Sequence, residues 1–229
     1  MSQDIKKNIN EIEKRIADAA ARVGRDPNSI KLMAVTKTFP VERIREAMEA
    51  GLTLFGENYV QEAREKIPAI GNAVSWHMIG HLQTNKAKYV VHLFDCIHSV
   101  DRLDLAKELD KRAGQIDCTL NILIEVNVSG EESKSGIPKT DAMELIRQIS
   151  VLPNLAVRGL MTMPPYSDDP ETSRPYFVAL RELRDEINQA GIANIRMDEL
   201  SMGMTDDFEV AIEEGATIVR IGRAIFGQR

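Results

Sequence analysis

The stretch IKLMAVTKTFPVERIREAMEAGLTLFG, residues 30–56, holds one complete unit of the fold. Residues 30–37 are a β-rich run that closes on Lys37, residues 41–50 are patterned as a helix, and residues 52–56 form a second β-rich run. A strand, a helix and a strand in close succession imply parallel strands joined by a crossover helix.

The alternation continues in both directions from this unit. Further strands are expected at 75–80, 96–100, 119–128, 156–163, 197–202 and 217–221, with helices at 59–67, 84–93, 102–113, 140–151, 170–190 and 206–214. Eight such units with no second composition regime imply one closed (β/α)8 TIM-type barrel spanning residues 1–229. An open doubly wound sheet is the runner-up, but no GxGxxG follows the first strand. Upstream, Ile5, Ile9, Ile12, Ile16, Ala19, Ala20 and Val23 recur at helical spacing. They make an extra N-terminal helix, stopped by Gly24 with Pro27 just after. The eighth strand ends close to Arg229, so no second domain is expected.

Composition narrows the class. The chain has 229 residues, 43% hydrophobic and 28% charged, with a formal net charge of -6. A nucleic-acid binder would show a basic excess or a clustered basic face, and neither is visible. The polar N-terminus is unlike a signal peptide, and no window approaches a membrane span. With only Cys96 and Cys118, read as small buried residues, a reducing cytoplasm is expected. The four histidines are scattered without HxH or HExxH, so no metal set is expected.

Several residues stand where barrel enzymes place chemistry, at strand carboxyl ends. A strand closing on Lys37 points an amine into the barrel mouth, where desolvation makes the neutral form accessible for Schiff-base chemistry. The competing reading is a strand-end lysine that snorkels to solvent. In ELSMGMTDDFEVAIEEG, Ser201, Gly203 and Met204 lie between the seventh strand and a helix that Thr205 or Asp206 can cap. Free N–H groups at such a helix start suit a phosphate, and Gly203 lets backbone approach it; an ordinary tight turn is the alternative. The eighth loop supplies Gly222 and Arg223. Arg220, inside the apolar run TIVRIG, needs either a structural ion pair or a ligand. Glu57 and Asn58 follow the second strand; His77, Gln83, Asn85 and Lys86 lie on or after the third, and His77 reads first as a hydrogen-bonded structural residue. The long connections NVSGEESKSGIPK and MPPYSDDPETSRP follow the fifth and sixth strands, as functional loops or as surface decoration.

AVTKTFP (34–40), FGENYVQEA (55–63), WHMIGHLQTNK (76–86), SKSGI (133–137), RGLMTMPP (158–165), LSMGMTDDFEVAI (200–212) and VRIGRAIFG (219–227) occur in order over almost the whole chain. In them the sequence closely resembles the pyridoxal 5′-phosphate (PLP) homeostasis proteins, similar to the N-terminal domain of alanine racemase. The resemblance implies a fold type III PLP barrel in which Lys37 forms the internal aldimine. It implies a phosphate site from Ser201, Gly203, Met204, Gly222 and residue 223, with Arg220 facing the pyridine nitrogen. Asn58 and Met161 would line the ring, with His77 nearby. Many relatives carry threonine where this chain has Arg223, which either donates to phosphate or points outward. The implied function is a non-enzymatic carrier in vitamin B6 and amino-acid homeostasis. It would be a cytoplasmic monomer that hands PLP to apo-enzymes. A PLP-dependent amino-acid racemase is the alternative, and an aldolase-type barrel using Lys37 is the third reading.

Overall fold

Each β-rich run becomes a parallel strand in the computed structural model, which describes residues 4–131 and 134–227. The strands are β1 (Lys31–Val35), β2 (Leu54–Glu57), β3 (Ser75–Met78), β4 (Cys96–Val100), β5 (Leu120–Asn127), the two-residue β6 (Ile137–Pro138), β7 (Leu155–Met161), β8 (Glu199–Ser201) and β9 (Ile218–Ile221). β1 pairs with β2 on one side and β9 on the other, and β4 pairs with β5, so eight strands close into a barrel and β6 stands outside the ring. Alternate residues then point in and out. Met33 and Val35 of β1 pack with Ile79 and Ile218 inside the barrel, whereas Ala34 joins the larger core beneath the helices.

The helices are α1 (Ile5–Arg22), α2 (Val41–Glu49), α3 (Val60–Ile70), α4 (Ala87–Val90), α5 (Leu103–Gly114), α6 (Lys139–Ile149), α7 (Arg174–Gln189), α8 (Phe208–Glu213) and α9 (Arg223–Phe226). Since α9 is a single turn, it cannot cover the flank of β9. α1 packs beside it, on α8, α9 and α2. Its Ile5, Ile9, Ile12 and Ile16 are buried, each contributing about 2 kcal/mol. Arg25 beyond it donates to the carbonyls of Ile212 and Ala216.

The structure departs from the sequence expectation in small ways. Residues 84–93 form a 3-10 turn (Thr84–Lys86) and the one-turn α4 rather than one helix. The IGRAIFG segment carries α9. β6 pairs with β5 inside the long connection, whose Ser133 lies outside the described residues. Cys118 is only partly buried, because it precedes β5 rather than lying in it. No described helix is long and apolar enough to cross a membrane.

Candidate functional site

A cavity of about 520 Å³ opens at the carboxyl ends of the barrel strands, lined among others by Lys37, Asn58, Met204, Arg220, Gly222 and Arg223. The spacing of two along β1 brings Lys37 there. Met33 and Val35 face inward, and Lys37 is the next inward position, just past the strand end. The following residue, Thr38, has φ 68°, a left-handed conformation that costs a β-branched residue about 1–3 kcal/mol.

The loops around the cavity need two glycines. A Cβ at Gly80 would stand 2.3 Å from the Asn58 carbonyl oxygen, so glycine lets the connections after β2 and β3 touch. This contact holds Asn58, whose buried Oδ1 has no hydrogen-bond partner among the described residues. Gly203 has φ 91°, and a Cβ there would lie 2.5 Å from Ala211 Cβ. The β8–α8 loop turns through it, and the Met204 N–H donates to Asp207 Oδ1 at 2.7 Å. Thr205 and Asp206 therefore do not cap α8, because the helix starts at Phe208 after Asp207.

Arg220 is 3% exposed, on β9 inside the barrel. It donates through Nη1 to Ser201 O (2.5 Å) and Ser201 Oγ (2.7 Å), and through Nη2 to Thr162 O (2.8 Å). All three are neutral acceptors. Burial pulls its guanidinium down to about 10, against the through-space pull of Asp207 and Glu125, so it stays cationic at neutral pH. Ser201 Oγ is also hydrogen-bonded to His98 Nδ1 at 3.0 Å, and His98 Nε2 to His77 Nδ1 at 2.8 Å. Burial lowers His77 to about 4, and burial, with His77 and Arg220, lowers His98 well below the ordinary imidazole range, so both rings are neutral at pH 7. A chain of hydrogen bonds thus runs from Arg220 through Ser201 and His98 to His77.

His77, Met161 and Ser201 accordingly do not line the cavity. Ser201 and His77 belong to this chain inside the barrel, and Met161 packs with Cys96 and Leu123. Gly203 shapes the loop without lining the cavity. Arg223 lines it, with Nη2 bound to both oxygens of Asp206 at 2.6 and 2.5 Å.

Two of the four histidines come together in space. His77, Cys96 and His98 bring their ligand atoms within 4.8 Å of one another. They lie one β/α unit apart, and register sets His77 beside Cys96. The two rings hydrogen-bond each other, and burial pushes the Cys96 thiol up, which favours its protonated form. His98 escaped the sequence reading, although a polar residue two positions from Cys96 within the run CIHSV signals the barrel interior. So did Glu125, 3% exposed, with Oε2 unpartnered among the described residues and its carboxyl raised to about 7, first by burial and then by Asp101. Tyr166, at the cavity rim, donates to Asp168 Oδ1 at 2.8 Å, which raises its phenol.

A family profile described as alanine racemase, N-terminal domain, matches residues 4–229. The chain is 50% identical over 222 residues to the pyridoxal phosphate homeostasis protein of Aquifex aeolicus, covering 96% of each. It is 43% identical to the protein of the same name from Escherichia coli, covering 99% of this chain and 97% of that one. Among solved structures, PipY of Synechococcus elongatus with PLP bound superposes with a TM-score of 0.82 at 37% identity, over 93% of this chain and 100% of that one. Alanine racemase of Clostridium difficile shares the fold, with a TM-score of 0.78 at 13% identity over 99% of this chain and 57% of that one. The eight-stranded barrel and these relatives agree: the chain belongs to the pyridoxal phosphate homeostasis protein family, built on the alanine racemase N-terminal domain.

Proposed function

We propose that this protein binds PLP covalently through Lys37 and serves as a carrier in intracellular PLP homeostasis, without robust catalysis. The observation that carries the reading is the meeting of Lys37, Asn58 and Arg220 with the loops after β8 and β9 around one cavity. A PLP-bound relative of the same fold supports it. The group fits the residues present. The Lys37 amine condenses with the aldehyde, its nitrogen replacing the carbonyl oxygen, which leaves as water. The unpartnered Asn58 Oδ1 is a polar contact available to a bound group. The β8–α8 loop at Thr205 and Asp206 and the Gly222–Arg223 segment line the cavity and are the backbone available to the phosphate. Bound PLP supplies an electron-withdrawing ring in conjugation with the lysine nitrogen.

The residues around the cavity support carriage over turnover. Arg220 can only donate, so it binds a ring nitrogen in its unprotonated form, the weaker electron sink. Racemases of related fold also use arginine, so the acid–base groups matter equally. Tyr166 is tied to Asp168 and shifted away from acting as a base, and Asp206 is tied to Arg223. On this reading the protein works as a cytoplasmic monomer that passes PLP to apo-enzymes. Interconversion of D- and L-isomers over a panel of amino acids tests it. The expected rate equals that of free PLP. Turnover well above that rate would establish the racemase reading instead.

A further inference from the structure

We infer that Lys66 is a positioning residue for the Lys37 amine, acting from behind the strand through the two residues that flank it. The inference rests on the reading that Lys37 carries PLP. Lys66 comes from α3 and is 7% exposed. Its ammonium has three hydrogens and meets three acceptors: Thr36 O at 2.8 Å, Glu57 Oε1 at 2.8 Å and Glu62 Oε2 at 2.6 Å.

Both carboxylates pass the grip on to the chain around Lys37. Glu57 Oε1 accepts from Thr36 Oγ1 at 2.6 Å, and Glu62 Oε2 accepts from the Thr38 N–H at 2.7 Å. Residue 36 is therefore held at its carbonyl and its side chain, and residue 38 at its amide. Lys37 lies between two fixed points. Thr38 is also in the left-handed region that a β-branched residue avoids, and Glu62 is what holds its N–H there. The cluster lies on the helix side of the wall: Glu57 follows Phe55 at the outward spacing of β2, and Lys66 lies on α3. It makes no contact with the cavity, yet it fixes the backbone from which the amine reaches into it. Loss of this hold leaves the ring and phosphate contacts in place and misaims the nitrogen that must displace the aldehyde oxygen as water.

The test separates covalent capture from occupancy of the site. Wild type, Lys66→Met, Lys66→Arg and Glu62→Gln would be saturated with PLP, reduced with borohydride and assayed for the fraction modified at Lys37. The same proteins would be titrated with pyridoxamine 5′-phosphate, which has the ring and phosphate but no aldehyde. For Lys66→Met the expected result is at least a tenfold slower formation of the Lys37 adduct, with the pyridoxamine 5′-phosphate Kd within about threefold of wild type. Lys66→Arg restores part of the rate. Glu62→Gln stays close to wild type because its amide oxygen still accepts from Thr38. An unchanged rate in Lys66→Met overturns the inference. So does a parallel loss of pyridoxamine 5′-phosphate binding, which assigns Lys66 a purely structural role. A wild type that forms no Lys37 adduct refutes the underlying PLP reading instead.

Discussion

Lys66 and Arg220 are both buried cations, yet one is bonded to two carboxylates and the other only to neutral acceptors. Lys66 sits between strand and helix with its three donors satisfied. Arg220 sits inside the barrel, oriented by Ser201 and by the Thr162 carbonyl, with the His98–His77 chain behind Ser201. A buried charge costs several kcal/mol unless compensated. Lys66 is compensated within the fold, so its charge serves the fold. Arg220 is bonded only to neutral acceptors, with Asp207 and Glu125 acting on it through space, and it lines the cavity.

The largest expected effects come from removing each cation. Lys66→Met leaves Glu57 buried without its counter-ion and should destabilise the protein by about 3–5 kcal/mol in urea unfolding. Arg220→Met should change the stability of the ligand-free protein by less than about 2 kcal/mol, because it takes away a charge whose burial Asp207 and Glu125 offset only in part. It should nevertheless weaken PLP binding by about tenfold or more, measured by fluorescence titration. Equal stability losses in the two variants would break the comparison.

A smaller effect is expected at Glu125, which shares the barrel interior with Arg220. Its folded carboxyl is raised from 4.5 to about 7, so the folded state holds the proton more tightly between those values. Stability is lost as pH rises through that window. Glu125→Gln removes the loss, so it should stabilise by about 2–3 kcal/mol at pH 8 and by little at pH 5, read from thermal unfolding. His77 works in the opposite sense. With its folded value near 4, it costs stability as pH falls below about 6.5. A Glu125→Gln effect independent of pH would show that the carboxyl is ionised throughout and paired with Arg220.

The smallest effect is expected at position 223. Arg223 and Asp206 are about half exposed, and such a pair is worth at most about 1 kcal/mol. Arg223→Thr should leave stability within that amount and change the PLP Kd by less than about fivefold. A loss of two orders of magnitude would make Arg223 a principal phosphate ligand.

The barrel was legible in the sequence because its strands are separated by helices of distinct period, and Lys37 because it ends the first apolar run. Asn58, Met204, Gly222 and Arg223 each stand at a strand end or in a βα loop, where the pattern puts them near the cavity, whereas Arg220 stands inside its strand and its sequence left a structural ion pair and a ligand both open. The interior chain was not legible. His77 and His98 are 21 residues apart, and only the register of β3 on β4 brings them together. Ser201 lies on the far side of the ring, bonded to His98 across the barrel. The role of Lys66 was equally hidden, since a lysine within AREKIP reads as a solvated helix face until α3 packs on the end of β1.

The most direct test of the account is the visible spectrum of the purified protein incubated with PLP, before and after borohydride, beside Lys37→Ala. The account predicts an imine band in the wild type that reduction abolishes, a stable adduct on Lys37, and neither in the variant. A wild type that takes up no PLP, or a variant that keeps the same reducible band, would contradict it.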